Sequence, residues 1–207
     1  MHLSVEEAIK LQQDMAKEVV KRDVIDQKKI QLICGVDVSY RNDKAFSCAV
    51  IIERKDLDVV EFAYSESTVE HPYIPGLLFL REAKPIFSVL EKLSHYDLLL
   101  VDGHGLLHPR TFGIACYVGV KVNRPTIGVG KSLLCGSVVE KNNSKVVLLD
   151  GKNVGIVLKT NGKPIYVSVG HKISLKTASN IVKEVTRYRI PEPLRLADIN
   201  SRKIAKT

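Results

Sequence analysis

A chain of 207 residues with 45% hydrophobic side chains can bury one sizeable core, which excludes wholesale disorder and favours a single domain over residues 1–207. Lys and Arg number 31 against 23 Asp and Glu, and the resulting charge of +8 attracts polyanions, nucleic acid first among them, although a merely basic soluble protein has the same balance. The four cysteines form no CxxC pair, the N-terminal MHLSVEEAIKLQQ lacks a signal-type apolar core, and no apolar run nears the ~20 residues that span a bilayer, so a zinc site, a disulfide framework and membrane contact are not expected and a cytoplasmic location is.

Ser4 and Glu7 form a capping box, and Ala8, Leu11, Met15 and Val19 repeat on one face, which predicts a first helix running to about Arg22. Three strand-like runs follow, QLICGVDVSY (31–40), AFSCAVII (45–52) and DVVEFAYSE (58–66), joined by short polar links that suit an antiparallel meander. TVEHPYIPG (68–76) reads as a loop. Residues 77–94 have helical periodicity, and Pro85 divides them into a short helix to about Ala83 and a second from about Pro85.

DLLLV (97–101) is a continuous apolar run of the kind found in parallel strands buried on both faces. A helix over 111–122, a strand over 125–129, a hairpin over 153–170 turning at Asn161-Gly162, and helices at about 174–187 and 193–204 complete the chain. A meander followed by strand–helix alternation predicts an α/β fold, a mixed sheet flanked by helices.

Asp37 interrupts the first strand between Val36 and Val38, where an unpaired buried carboxylate would cost several kcal/mol. Asp102 ends the buried run 97–101, the position where open α/β sheets place ligands. Each alone is equally well a satisfied turn or ion pair, and Glu82, in LFLREAKP, a solvated helix face. Neighbouring strands can bring the two Asp together with the helical Glu reaching over the same edge. Three hard oxygen donors without matching Cys or His suit Mg²⁺ or Mn²⁺ and metal-assisted phosphodiester cleavage. GVGKS (128–132) lacks the first glycine of a phosphate loop, and HGLLH (104–108), between a glycine and a proline, does not suit a zincin helix.

The stretches GVDVSY (35–40), PYIPGLLFLRE (72–82), VDGHGLLHPR (101–110), GIACYVGV (113–120), PTIGVGKSLL (125–134), VSVGHKISLKTA (167–178) and RIPEPLRLAD (189–198) together resemble the endonuclease V family. The resemblance implies a ribonuclease H-like fold and an endonuclease that recognises hypoxanthine, in deoxyinosine or inosine. Such an enzyme hydrolyses the second phosphodiester bond 3′ to the lesion, leaves 3′-hydroxyl and 5′-phosphate ends, and initiates repair of deaminated adenine. It further implies Mg²⁺, with Mn²⁺ able to substitute, held by Asp37, Glu82 and Asp102. Asp198 matches another active-site position, and Lys131 and His108 fall near the scissile phosphate. Pro72, Tyr73, Ile74 and Pro75 match a wedge that parts the strands, and Gly76, Leu78, Gly103 and Ile114 match the pocket for the extruded base. The expected partner is inosine-containing DNA or RNA, bound by a monomer.

The physics of these residue types agrees: an extruded base needs a close-fitting pocket and a side chain to fill its place in the duplex. Two prolines stiffen the wedge, and Lys131 offers a compact charge for a developing phosphate anion. The chain departs from typical members in being compact after Leu134, with little beyond Asp198, and in reading GVGKS where many read GVAKS.

Overall fold

The computed structural model describes residues 3–141 and 143–206. The described residues form a single mixed sheet that positions everything else. Its first three strands, β1 (Leu32–Arg41), β2 (Lys44–Glu53) and β3 (Val59–Thr68), make the expected antiparallel meander. β4 (Leu98–Asp102) pairs parallel with β1, and β5 (Thr126–Gly130) parallel with β4. Next to β5 lie, in space, β9 (Ile165–His171), β8 (Lys152–Leu158), β7 (Ser144–Leu149) and β6 (Ser137–Lys141), all antiparallel.

The sheet separates two apolar cores. On one face α2 (Leu78–Leu90) and α3 (Ile114–Val122) cover Cys34, Val36, Ile51, Leu99 and Val101. On the other, α4 (Leu175–Glu184) and α5 (Glu192–Lys206) cover Ile33, Val50, Leu98, Leu100 and Ile127. β4 is apolar from Leu98 to Val101 because both of its faces are buried there. α5 can lie flat on β1 because position 35 is glycine: a Cβ there would stand 2.4 Å from the Pro193 carbonyl carbon. No helix among the described residues is long and apolar enough to cross a membrane.

Four expectations about elements need correction. The first helix, α1 (Val5–Met15), stops well before Arg22, with one 3-10 turn at Ala16–Glu18. Beyond it Val20 gains partners at the end of β9 and just after it: its amide donates to His171 Nδ1 at 3.3 Å, and its carbonyl accepts from the Lys172 amide at 2.7 Å. His171 is thereby structural. α2 runs unbroken through Pro85. Proline there removes a helical hydrogen bond, at a cost of about 3 kcal/mol or more, but burial of Phe79, Ala83, Ile86, Val89 and Leu90 on the sheet outweighs it. The β6–β7 hairpin was not foreseen, because its VVE and KVVLL runs are short and half exposed. Finally, Leu158 faces Ile165 as the last pair of β8 and β9, so a loop over 159–164 replaces the tight turn at Asn161-Gly162.

Candidate active site

β1 and β4 run side by side with Val36 opposite Val101 as their last pair, so Asp37 and Asp102 follow at the same level. β4 ends there, whereas β1 continues to Arg41 with only β2 beside it, leaving a notch in the sheet. α5 crosses this notch. Gly35, Asp37 and Ser39 alternate onto the face beneath α5, where the helix approaches Gly35 and brings Asp198 and Ser201 over Asp37. One carboxylate oxygen each from Asp37, Asp102 and Asp198 lies within 4.8 Å of the others. The Ser201 hydroxyl donates to Asp37 Oδ2 at 2.8 Å and is itself bonded to the Ser39 hydroxyl at 2.7 Å.

Glu82 comes from α2, on the opposite face of the sheet. The Tyr40 hydroxyl donates to its Oε1 at 3.3 Å, and the Arg81 guanidinium lies 4.1 Å from the Tyr40 ring centroid. Glu82 stands outside the 4.8 Å group that contains Asp198, so the structure gathers Asp37, Asp102 and Asp198 where Asp37, Glu82 and Asp102 were expected. It is nonetheless close enough to feel the other acids. Burial, then the charges of Asp37 and Asp102, push the Glu82 carboxyl up to about 8. Burial, then the Asp102 charge, push Asp37 up to about 7.

Lys131, immediately after β5, pairs with Asp102 and lies 3.8 Å from Asp198. Burial works against its ammonium, but Asp102, Asp37 and Asp198 together outweigh that and hold its pKa above the usual value. The notch thus crowds hard oxygen donors that one lysine does not neutralise. That donor set fits a hard divalent cation such as Mg²⁺ or Mn²⁺, and offers no thiolate or imidazole to favour zinc.

One residue beyond Asp102 the surroundings change. Gly103 lines a cavity of about 160 Å³ together with Tyr73, Gly76, Leu78, His108 and Ile114. Its volume falls below the about 300–1,000 Å³ of drug-sized sites and suits one small ring system. A Cβ on Gly103 would come within 2.5 Å of Ile114 Cγ2, so only glycine keeps this wall open. Tyr73 stands at the rim, 60% exposed, between exposed Pro72 and half-buried Ile74, with Pro75 also exposed.

His108, expected near the phosphate, is placed in the cavity wall with both ring nitrogens engaged. Nδ1 accepts from the Arg110 amide at 3.2 Å and Nε2 donates to the Gly76 carbonyl at 3.1 Å. Burial, then the Arg110 charge, lower its pKa to about 4, so the ring is neutral. The same Gly76 carbonyl accepts from Arg110 Nη2 at 2.6 Å and Gln12 Nε2 at 3.1 Å. Four residues that build the site escaped the sequence reading. Gln12 and Arg110 clamp the root of the 72–76 loop, and Ser201 and Tyr40 hold Asp37 and Glu82. A glutamine on the inner face of an amphipathic helix was the one available signal for Gln12.

An antiparallel meander joined to parallel strands, with carboxylates where the parallel pair ends, defines the class: a ribonuclease H-like nuclease. The chain belongs to the endonuclease V family, whose model matches residues 13–199. It is 43% identical to the endonuclease V of Thermofilum pendens over 96% of this chain and 88% of that protein. It is 40% identical to that of Ignicoccus hospitalis over 97% and 95%. Among solved structures, an endonuclease V from Streptomyces avermitilis superposes with a TM-score of 0.91 at 33% identity, over 99% of this chain and 94% of the other. The Ciona intestinalis enzyme, solved in complex with a 24mer DNA containing an inosine followed by a ribo-adenosine, gives 0.88 at 29% identity over 98% of both chains.

Proposed function

We propose that this protein is a Mg²⁺-dependent endonuclease that recognises hypoxanthine in DNA or RNA and hydrolyses the second phosphodiester bond 3′ to it, leaving 3′-hydroxyl and 5′-phosphate ends and so initiating repair of deaminated adenine. The observation that carries this is the adjacency of a small cavity, walled by Gly103, to the carboxylate notch at Asp102. The inosine-containing DNA bound by the Ciona relative supports the ligand.

In this reading Asp37 and Asp102 hold the metal at the end of the parallel strands, with Glu82 from one face and Asp198 from the other. Bound there, Mg²⁺, or Mn²⁺ in its place, would polarise the phosphoryl oxygen and acidify the attacking water. Lys131 orients the phosphate and counters its developing charge. Tyr73, stiffened by Pro72 and Pro75, takes the extruded base's place in the duplex with Ile74 beside it. Main-chain groups of Gly76, Leu78, Gly103 and Ile114 line the pocket. His108 acts by holding Gly76 in place, through the hydrogen bond described above. In this reading the enzyme is a monomer with a single domain, its site built from one chain. Cys34, Cys48 and Cys116 are free and buried, which suits a reducing cytoplasm.

The test is a 5′-labelled duplex with a single deoxyinosine, and its inosine RNA counterpart, each with and without Mg²⁺. One nick, two bonds 3′ of the lesion and only with the metal, is expected. Binding without any nick would point to a non-catalytic module, and nicking regardless of the lesion to a ribonuclease H or junction-type nuclease.

A further inference from the structure

A second concave surface lies away from the notch and takes no part in the function just proposed. It is a groove of about 820 Å³ between β8, the 159–164 loop and the C-terminal end of α4. Four cations, Lys145, Lys159, Lys183 and Arg187, line it against one acid, Glu140. Among the described residues no carboxylate pairs with Lys145, Lys159 or Lys183, and all three are exposed. At its rim stands Tyr188, 58% exposed, with the Arg195 guanidinium 5.2 Å from its ring centroid.

The groove connects to the active site through one side chain. Arg189 donates through Nη2 to the carbonyl of Lys131 at 3.3 Å and through Nε to that of Lys163 at 3.4 Å. Its side chain also lies against Gly162, in the groove wall. A strand leaving Lys131 along this face would meet positive charge in succession. We propose that the groove binds a single-stranded flank of the nucleic-acid substrate: its lysines hold the phosphates, and Tyr188 stacks one unpaired base. Unpaired lysines in a concave track beside an exposed aromatic ring are what strand-binding grooves combine. A paired duplex would offer Tyr188 no base face.

The inference rests on the nucleic-acid reading of the notch, so the experiment separates the two. Inosine oligonucleotides are compared as a short duplex, as that duplex with a single-stranded tail of about ten nucleotides on either side, a length within the 4–16 a strand groove spans, and as the same duplex extended with paired ends. Binding is followed across a salt series without divalent ions, so that nothing is cut, and repeated without the inosine. The tail on one side should tighten binding. The triple variant Lys145→Ala/Lys159→Ala/Lys183→Ala should abolish that gain and reduce the salt slope by roughly two, at about 0.7 per phosphate contact. Tyr188→Ala should remove part of the gain without changing the slope. Nicking of the short duplex should be unaltered in both variants, which also shows that they fold. A tail gain that persists in the triple variant overturns the proposal, as does an equal gain from paired extension. A tail gain on lesion-free strands without any inosine preference would leave the groove standing and refute the hypoxanthine reading instead.

Discussion

The notch at Asp102 and the cavity at Gly103 are one peptide bond apart and are built on opposite principles. In the notch, Asp37 and Glu82 are pushed up to about 7 and about 8 because like charges are confined with little water. In the cavity, apolar side chains and main chain make up much of the wall, and burial, then the Arg110 charge, keep the His108 ring neutral while it makes two hydrogen bonds. The notch therefore loses stability in order to bind something positive. The cavity carries no such crowding of charge and acts chiefly by shape. Chemistry and recognition are thus separable, and substitutions should divide them.

The largest effect should come from Asp37→Asn. It removes a charge from the proposed metal site, where such a charge would be worth several kcal/mol in the transition state, so single-turnover nicking should fall by about 10³-fold or more. Residual nicking near the unaltered rate would remove Asp37 from the metal site. Lys131→Ala should lower the same rate by about 10²–10³-fold, as loss of one preorganised charge does, with a smaller change in affinity. Equal losses in rate and affinity would make Lys131 an ordinary phosphate contact.

Tyr73→Ala acts on the other region. Losing one stacked base is worth about 1–3 kcal/mol, or roughly five- to a hundredfold in affinity. The loss should be larger on duplex than on single-stranded inosine substrates, while saturating protein still nicks the same bond. Unchanged binding to both would return Tyr73 to an ordinary surface residue.

The smallest effect concerns stability of the metal-free protein. Because Asp37 and Glu82 have folded pKa values above their unfolded ones, their contribution is complete below about pH 4 and is lost as pH rises through about 7 to 8. His108, held down to about 4, works in the opposite direction below the unfolded histidine value of about 6.5, so the comparison is with Asp37→Asn, in which the histidine contribution is the same. Relative to Asp37→Asn, the melting temperature without metal should fall by on the order of a few °C between pH 5 and pH 8. Mg²⁺ should raise the melting temperature of the unaltered protein more at pH 8 than at pH 5. A difference from Asp37→Asn that does not change over this interval would contradict the crowding of these carboxylates.

Much of this was legible in the sequence, for identifiable reasons. β1 to β5 announced themselves because apolar alternation and the DLLLV run report burial directly, and Asp37 and Asp102 stood out by breaking those patterns. The grouping of acids was less legible. That Asp198 rather than Glu82 joins Asp37 within 4.8 Å depends on Gly35 letting α5 settle on the sheet, a tertiary contact with no local signature. The unbroken α2 is a case of packing overriding the proline rule. The clamp on Gly76 was hidden similarly, because Gln12 lies 64 residues away in the chain.

The separation itself is tested most directly by the affinity of the Asp37→Asn protein for duplexes carrying inosine or adenine at one position, measured without divalent ions. If the cavity recognises the base independently of the acids, the preference for inosine should stay within about twofold of that of the unaltered protein, as for independent sites, while nicking is lost. Loss of the preference along with the nicking would show that the acids take part in recognition, and the division between notch and cavity would fail.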